Sequence, residues 1–172
     1  MFWKTRVVPA TQFAKDYSAG VVERAELLLK HIADLSSDQA SSPVAHRRKE
    51  VCAMVWATIV AAFEVSDFDK ADQDKLVPLV LQIVLPHWQT HFVSESEMRD
   101  FLSKRIFAYL GDKHPNNPLE AASAMIQELS TAIGASSHMA QGFGLILTPL
   151  IAQHILSDTK LFNRIKRDCR IA

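Results

Sequence analysis

The sequence predicts an all-α, single-domain bundle of about six helices whose neighbours are mostly antiparallel, and three observations carry that prediction. From Val51 to Val65 the chain reads VCAMVWATIVAAFEV, with only Thr58 and Glu64 interrupting the apolar run. A helix hydrophobic on nearly every face must be wrapped by other helices, so this second helix is expected to be the buried centre. Upstream, Ala14, Ser18, Val21, Ala25, Leu28, Ile32 and Leu35 recur at alternating spacings of four and three, the seam of a coiled-coil-like helix. Strand alternation is found nowhere at useful length.

Each element follows from its local signals. Residues 1–9, with MFWKTRVVP at the start, read as an N-terminal arm, and Thr11 caps a first helix running to about Leu35. Ser36 to Ser42 has no periodicity and forms a loop, after which Pro43 opens the second helix. The acidic stretch SDFDKADQD suits the electropositive start of a third helix, and Pro86 is expected to kink or break that helix near Leu85. Ser94 with Glu97 forms a capping box for a fourth helix that presents Met98, Phe101, Leu102, Ile106 and Tyr109 and stops at Gly111. GDKHPNNP is a loop closing on Asn117 as cap and Pro118 as first helical residue. The fifth helix then carries the stripe Ala122, Met125, Ile126, Leu129 and Ile133, and ends at Gly134. The sixth begins near Ser136, bends at Pro149 and is expected to end around Ser157, leaving a basic C-terminal segment over 160–172.

A chain of 172 residues fits one domain with a core of its own, and 48% apolar with 22% charged residues is an ordinary folded composition. The formal net charge is zero, so no global field draws the chain to nucleic acid or anionic lipid. Two cysteines cannot staple a protein of this size and point to a reducing compartment, with Cys52 as an inert small hydrophobe. The runs Val51 to Phe63 and Leu76 to Leu85 fall short of the roughly 20 residues a bilayer needs, so no transmembrane segment and a cytoplasmic location are expected.

The chemistry-bearing candidates are few. In PHWQTHF, His87 and His91 are four apart, the spacing that puts two imidazoles on one side of a helix and can chelate a transition metal. His154 is the preferred third ligand, with Glu64 as a possible fourth. The alternative places both rings at the border of the stripe Val77, Leu81, Val84, Trp88 and Phe92, packed and hydrogen-bonded. Haem would need one strong axial ligand in an apolar cleft, for which His154 or His91 is the candidate. SDFDKADQDK departs from a calcium loop at the third ligand, the glycine and the closing glutamate. The motif IVLPHWQTH at 83–91 is echoed by ILTPLIAQH at 146–154, each with a histidine five residues after a proline. Genuine repeats show sustained self-similarity, which this pair lacks.

Arg47, Arg48 and Lys49 place cations in the first turns of a helix, against its macrodipole. They read either as an anion- or partner-binding site or as ion-pair partners for Glu23, Glu26 or Asp34. Arg164 and Arg167, with Lys160, Lys166 and Arg170, form a basic C-terminus that suits an acidic partner or a solvated helix end. No nucleophile signature and no helix-turn-helix or RNA-binding motif is present, so sequence-specific nucleic-acid binding is not expected. Two functional expectations follow. The first is a non-enzymatic helical protein that works by binding another protein or a second copy of itself. The second is a small-molecule or metal binder with a cleft between the third and sixth helices lined by His87, Trp88, His91, Phe143 and His154.

Overall fold

The computed structural model describes residues 6–35, 40–111 and 117–172, with the side chains of 33–35 outside that description. The first five residues of the expected arm, the middle of the first loop and most of GDKHPNNP therefore lie outside the described residues, as do the side chains of Asp34 and Leu35. The chain runs β1 (Arg6–Val8), α1 (Ala10–Leu35), α2 (Val44–Val65), α3 (Lys70–Trp88), a 3-10 turn (Gln89–His91), α4 (Glu95–Leu110), α5 (Pro118–Ala132), α6 (Ser137–Asp168) and β2 (Cys169–Ile171). The all-α bundle expected from the sequence is present.

α2 is its centre. It packs against α1, α3, α4, α5 and α6, and Val51 through Ile59 are all buried. The remaining helices pair around it, α5 with α6 and α1 with α3 most extensively. The seam read on α1 is buried at Ala14, Ser18, Val21, Ala25, Leu28 and Ile32. At one end of the bundle Phe13, Tyr17, Phe63, Phe68 and Phe162 form an aromatic cluster, with Phe63 and Phe162 stacked at 4.2 Å between centroids.

The caps read at Ser94, Asn117 and Ser136 are made; Thr11 is not a cap, because α1 already begins at Ala10. The Ser94 hydroxyl accepts from the Glu97 N–H at 3.1 Å, and the Glu97 carboxylate accepts from the Val93 N–H at 2.7 Å. Asn117 accepts from Leu119 N–H, and Asp69 and Ser136 cap α3 and α6 in the same way. Gly134 sits at φ +65, and a Cβ there would lie 2.0 Å from Ser41 Oγ. That close approach lets the segment before α2 dock on the α5–α6 turn, where Ser41 N–H donates to the Gly134 carbonyl at 3.1 Å.

Three boundaries differ from the sequence reading. α3 runs through Pro78 and Pro86 to Trp88 and only then tightens into the 3-10 turn, so Pro86 does not end it. Burial of Leu76, Val80, Val84, Leu85 and Trp88 holds the helix on both sides of the missing N–H. α6 likewise passes Pro149 and continues to Asp168 as one helix of 32 residues; there is no break at Ser157 and no separate basic helix. Its buried stripe simply continues, Leu147, Ile151, Ile155, Asp158, Thr159 and Phe162, with a carboxylate in the place where an end was read. The arm is also more than an arm. Arg6, Val7 and Val8 pair in parallel with Cys169, Arg170 and Ile171, and Ala10 N–H donates to the Ala172 carbonyl at 2.9 Å, tying the two ends of the chain together. Strands of three residues are too short to show a period of two.

Because α6 is unbroken, it is the one helix among the described residues long and apolar enough, by length and composition, to cross a membrane; an 18-residue window has a mean hydropathy of 1.3 and is 28% buried.

Phe162 is fully buried and packs on Phe13 and Tyr17 of α1 and on Phe63 of α2 from the far end of α6. Phe162→Ala is expected to cost about 3 to 5 kcal/mol, the range for emptying a buried phenylalanine site. Urea denaturation followed by circular dichroism measures it.

Candidate functional site

Four of the functional candidates of the sequence, Arg48, His87, Trp88 and His91, meet at the crossing of α1 with the end of α3. A pocket of about 340 Å³ opens there, lined by Val22, Glu26, Leu29 and Lys30 of α1, Arg48 of α2, His87 and Trp88 of α3, and Thr90 and His91 of the 3-10 turn. The α1 residues share one face through spacings of four and three. Trp88 anchors the opposite side and is 2% exposed. The 3-10 turn then swings the chain so that His91 stays on the side already occupied by His87.

The puzzling cations of α2 separate here. Successive helical residues project about 100° apart, so Arg47, Arg48 and Lys49 cannot share a partner. Arg47 is buried, with Nη1 3.4 Å from the Ala40 carbonyl. Lys49 lies 2.5 Å from Glu97 Oε1 and over the Phe92 ring at 5.3 Å. Among the described residues neither pairs with the acids of α1 proposed from sequence, Glu23 and Glu26, and the Asp34 side chain lies outside that description. Arg48 alone reaches the pocket, and among the described residues it makes no ion pair.

The pocket is electropositive. Lys30 and Arg48 face one carboxylate, Glu26, with His87 and His91 beside them. Burial, and secondarily the Arg48 charge, push the His91 pKa below its ordinary value, so this imidazole is neutral near pH 7 and offers one N–H. The Trp88 indole nitrogen is buried and has no hydrogen-bond partner among the described residues. An unmet buried N–H of this kind costs roughly 1 to 3 kcal/mol.

The other two residues of the expected cleft lie elsewhere. Phe143 is 1% exposed and belongs to the core. His154 faces a crevice of about 10 Å³ with Arg24, Leu28, Val55, Thr58, Ile59 and Ile151, room for one water at most and none for a porphyrin. The reason is the pairing of helices, since α1 covers α3 while α6 packs on α5 and α2. Pro86 and His91 span a helix end and a turn, whereas Pro149 and His154 sit inside α6, so the sequence echo has no structural counterpart. Among the described residues no three His, Cys, Asp or Glu side chains group so as to hold a metal ion. Glu64 lines a third hollow with Lys70 and Asp74.

The basic C-terminus is largely engaged. Lys166 binds Asp72, and Asp69 at 2.9 Å, joining the end of α6 to the start of α3. Arg167 Nε is 3.0 Å and Arg164 Nε 3.8 Å from the Asp168 carboxylate, so both of these exposed guanidinium groups have a counter-charge on their own helix.

Two buried polar clusters escaped the sequence reading. In one, Arg24 donates to both oxygens of Asp158 at 2.8 and 2.9 Å, and the Tyr17 hydroxyl donates to Oδ2 at 2.6 Å. Burial, then Asp158, drive the Tyr17 pKa well above its usual value and keep it a donor. In the other, Arg105 Nε and the Tyr109 hydroxyl both donate to Glu50 Oε2 at 2.8 Å. Arg105 Nη2 lies 2.7 Å from Glu128 Oε1, close enough for charge attraction though poorly aligned as a hydrogen bond. A signal for both existed: Asp158 and Glu50 each stand on an apolar stripe, where a lone charge requires a partner. Neither cluster encloses space for a ligand. They are clamps, α1 to α6 and α2 to α4 and α5. Cys52, whose thiol is pushed up to about 12 by burial, is inert as expected.

No known protein family, characterised protein or solved structure matches this chain.

His91 and His154 both have depressed pKa values, chiefly through burial, so at these rings the folded protein binds fewer protons than the unfolded chain, which titrates near 6.5. Stability therefore rises with pH across the interval between each folded value and 6.5, and falls as pH drops through it. Urea midpoints taken between about pH 7.5 and about pH 5.5 are expected to decrease, and the decrease to be smaller in His154→Gln.

Proposed function

We propose that this protein is a non-enzymatic binder of a small anionic molecule, held in the pocket between α1, Arg48 and the end of α3. The observation that carries the reading is Arg48, a guanidinium without an ion pair among the described residues, set beside Lys30 and two histidines around a ligand-sized hollow. Arginine forks onto carboxylate or phosphate oxygens more strongly than neutral donors do, and about 340 Å³ falls at the lower end of small-molecule sites. Two of the sequence's separate ideas, an anion site on α2 and a ligand site at PHWQTHF, become one site in this reading.

The test is a titration of the 15N-labelled protein with acetate and with inorganic phosphate, following the Trp88 indole N–H, assigned with Trp88→Phe. Movement of that resonance by at least one anion, weakened about tenfold or more in Arg48→Glu, is the expected result. An indole signal indifferent to both anions, or a shift unchanged in Arg48→Glu, would overturn the proposal.

A second reading, contact with another protein or a second copy of the chain, is favoured by the outer face of α6, where Leu145 is 80% and Ile146 56% exposed. Adjacent exposed apolar side chains of this size mark association surfaces. Light scattering over a concentration series is expected to show self-association that Leu145→Asp abolishes; a mass of one chain at every concentration removes the self-association form of this reading.

A further inference from the structure

Resting on the anion-binding reading, we infer that the pocket's ligand is an amphipathic monocarboxylate, with its head at Arg48 and an apolar tail along α1 and the Trp88 ring. Three features point away from a phosphate. Phosphate sites draw on the free backbone N–H groups of a helix start, and none of the lining residues opens a helix: Val22 to Lys30 lie inside α1, Arg48 is past the first turn of α2, and His87 and Trp88 close α3. The end of α3 presents the negative pole of its dipole, and Glu26 adds a full negative charge to the wall. Two permanent cations against that background suit one ligand charge better than two. His91, held neutral by its burial and by Arg48, contributes a hydrogen bond rather than a charge.

The tail is argued from the other wall. Val22 and Leu29 are partly buried hydrophobic side chains packed against the core, seven apart on α1 and so on one line of its surface. With the Trp88 ring opposite, they form an apolar slot beside the cations. A carboxylate without a tail leaves that slot in water. A tail removes it, and each buried CH₂ is worth about a three- to fourfold gain in affinity.

The experiment titrates acetate, butyrate, hexanoate and inorganic phosphate against the full chain, reading the Trp88 indole N–H and, independently, heat by calorimetry. The expected result is a Kd that tightens about three- to fourfold per CH₂ until the slot is filled, with phosphate weaker than hexanoate. Leu29→Asn is expected to flatten the chain-length series while leaving acetate unchanged; Val22→Asn serves the same purpose if Leu29→Asn does not fold. Equal binding of acetate and hexanoate, or phosphate binding tighter than hexanoate, overturns the carboxylate assignment and leaves the anion site standing. Binding of none of the four overturns both.

Discussion

An apolar helix with no face fit for water sets the terms for everything around it. From Val51 to Phe63 the side chains of α2 point in all directions, and all but Val60 are buried. A surface helix needs two layers; this one needs a surround, and five helices supply it. The consequence is that the other helices are chosen by what they cover. α4 and α6 lie along α2 most extensively, α5 bridges those two, and α3, which touches α2 least, leans mainly on α1. The pocket opens along that outermost pairing, where the demand for covering the central helix is weakest.

The charged residues inside the bundle belong to the same constraint. Hydrophobic contact is non-directional, so helices around a greasy axis can slide or rotate at small cost. Arg24 forked on Asp158, and Arg105 with Tyr109 on Glu50, allow one rotation and one height each. Burying these ions is expensive, and their attraction does no more than offset it when every lone pair is met. Tyr17 and Tyr109 each fill one of those lone pairs. Their role is to fix alignment, and the two clamps act at opposite ends of the central helix, Glu50 before its apolar run and Asp158 facing the Tyr17 ring at the aromatic end.

How much of this could be read from the chain depends on whether the signal was local. Helix number, the enclosed second helix, the α1 seam and the caps at Ser94, Asn117 and Ser136 rest on spacing within a few residues, and all are present. What failed needed a partner distant in sequence. The sixth helix was read as ending around Ser157 because the partner that lets Asp158 be buried beyond it, Arg24, is 134 residues away. Pro86 looked like a possible break because the packing that carries α3 past it is tertiary. The three-residue strands exist only because both chain ends meet. Of the pocket's lining, His87, Trp88, His91 and Arg48 carry local signals in the sequence, but their grouping was not visible: His154 and Phe143 were joined to them through an assumed contact of the end of α3 with α6, where the structure places α1 instead.

The cations at the start of α2 show how one local violation can hold both structure and function. Four consecutive basic or titratable residues oppose the helix dipole there, and propensity alone offers no reason for them. In three dimensions His46 lies 3.6 Å from Glu50 Oε1, Arg47 goes inward, and Lys49 turns to Glu97 and Phe92. Each of those three has a packing account, and together they fasten the first turns of α2 to α4 and to the segment before it. Arg48 has none. It faces α1 across an open hollow, depresses the proton affinity of His91, and makes no ion pair among the described residues. A residue kept in an unfavourable place by neighbours that are satisfied, yet itself unsatisfied, is where a fold leaves room for something it does not contain.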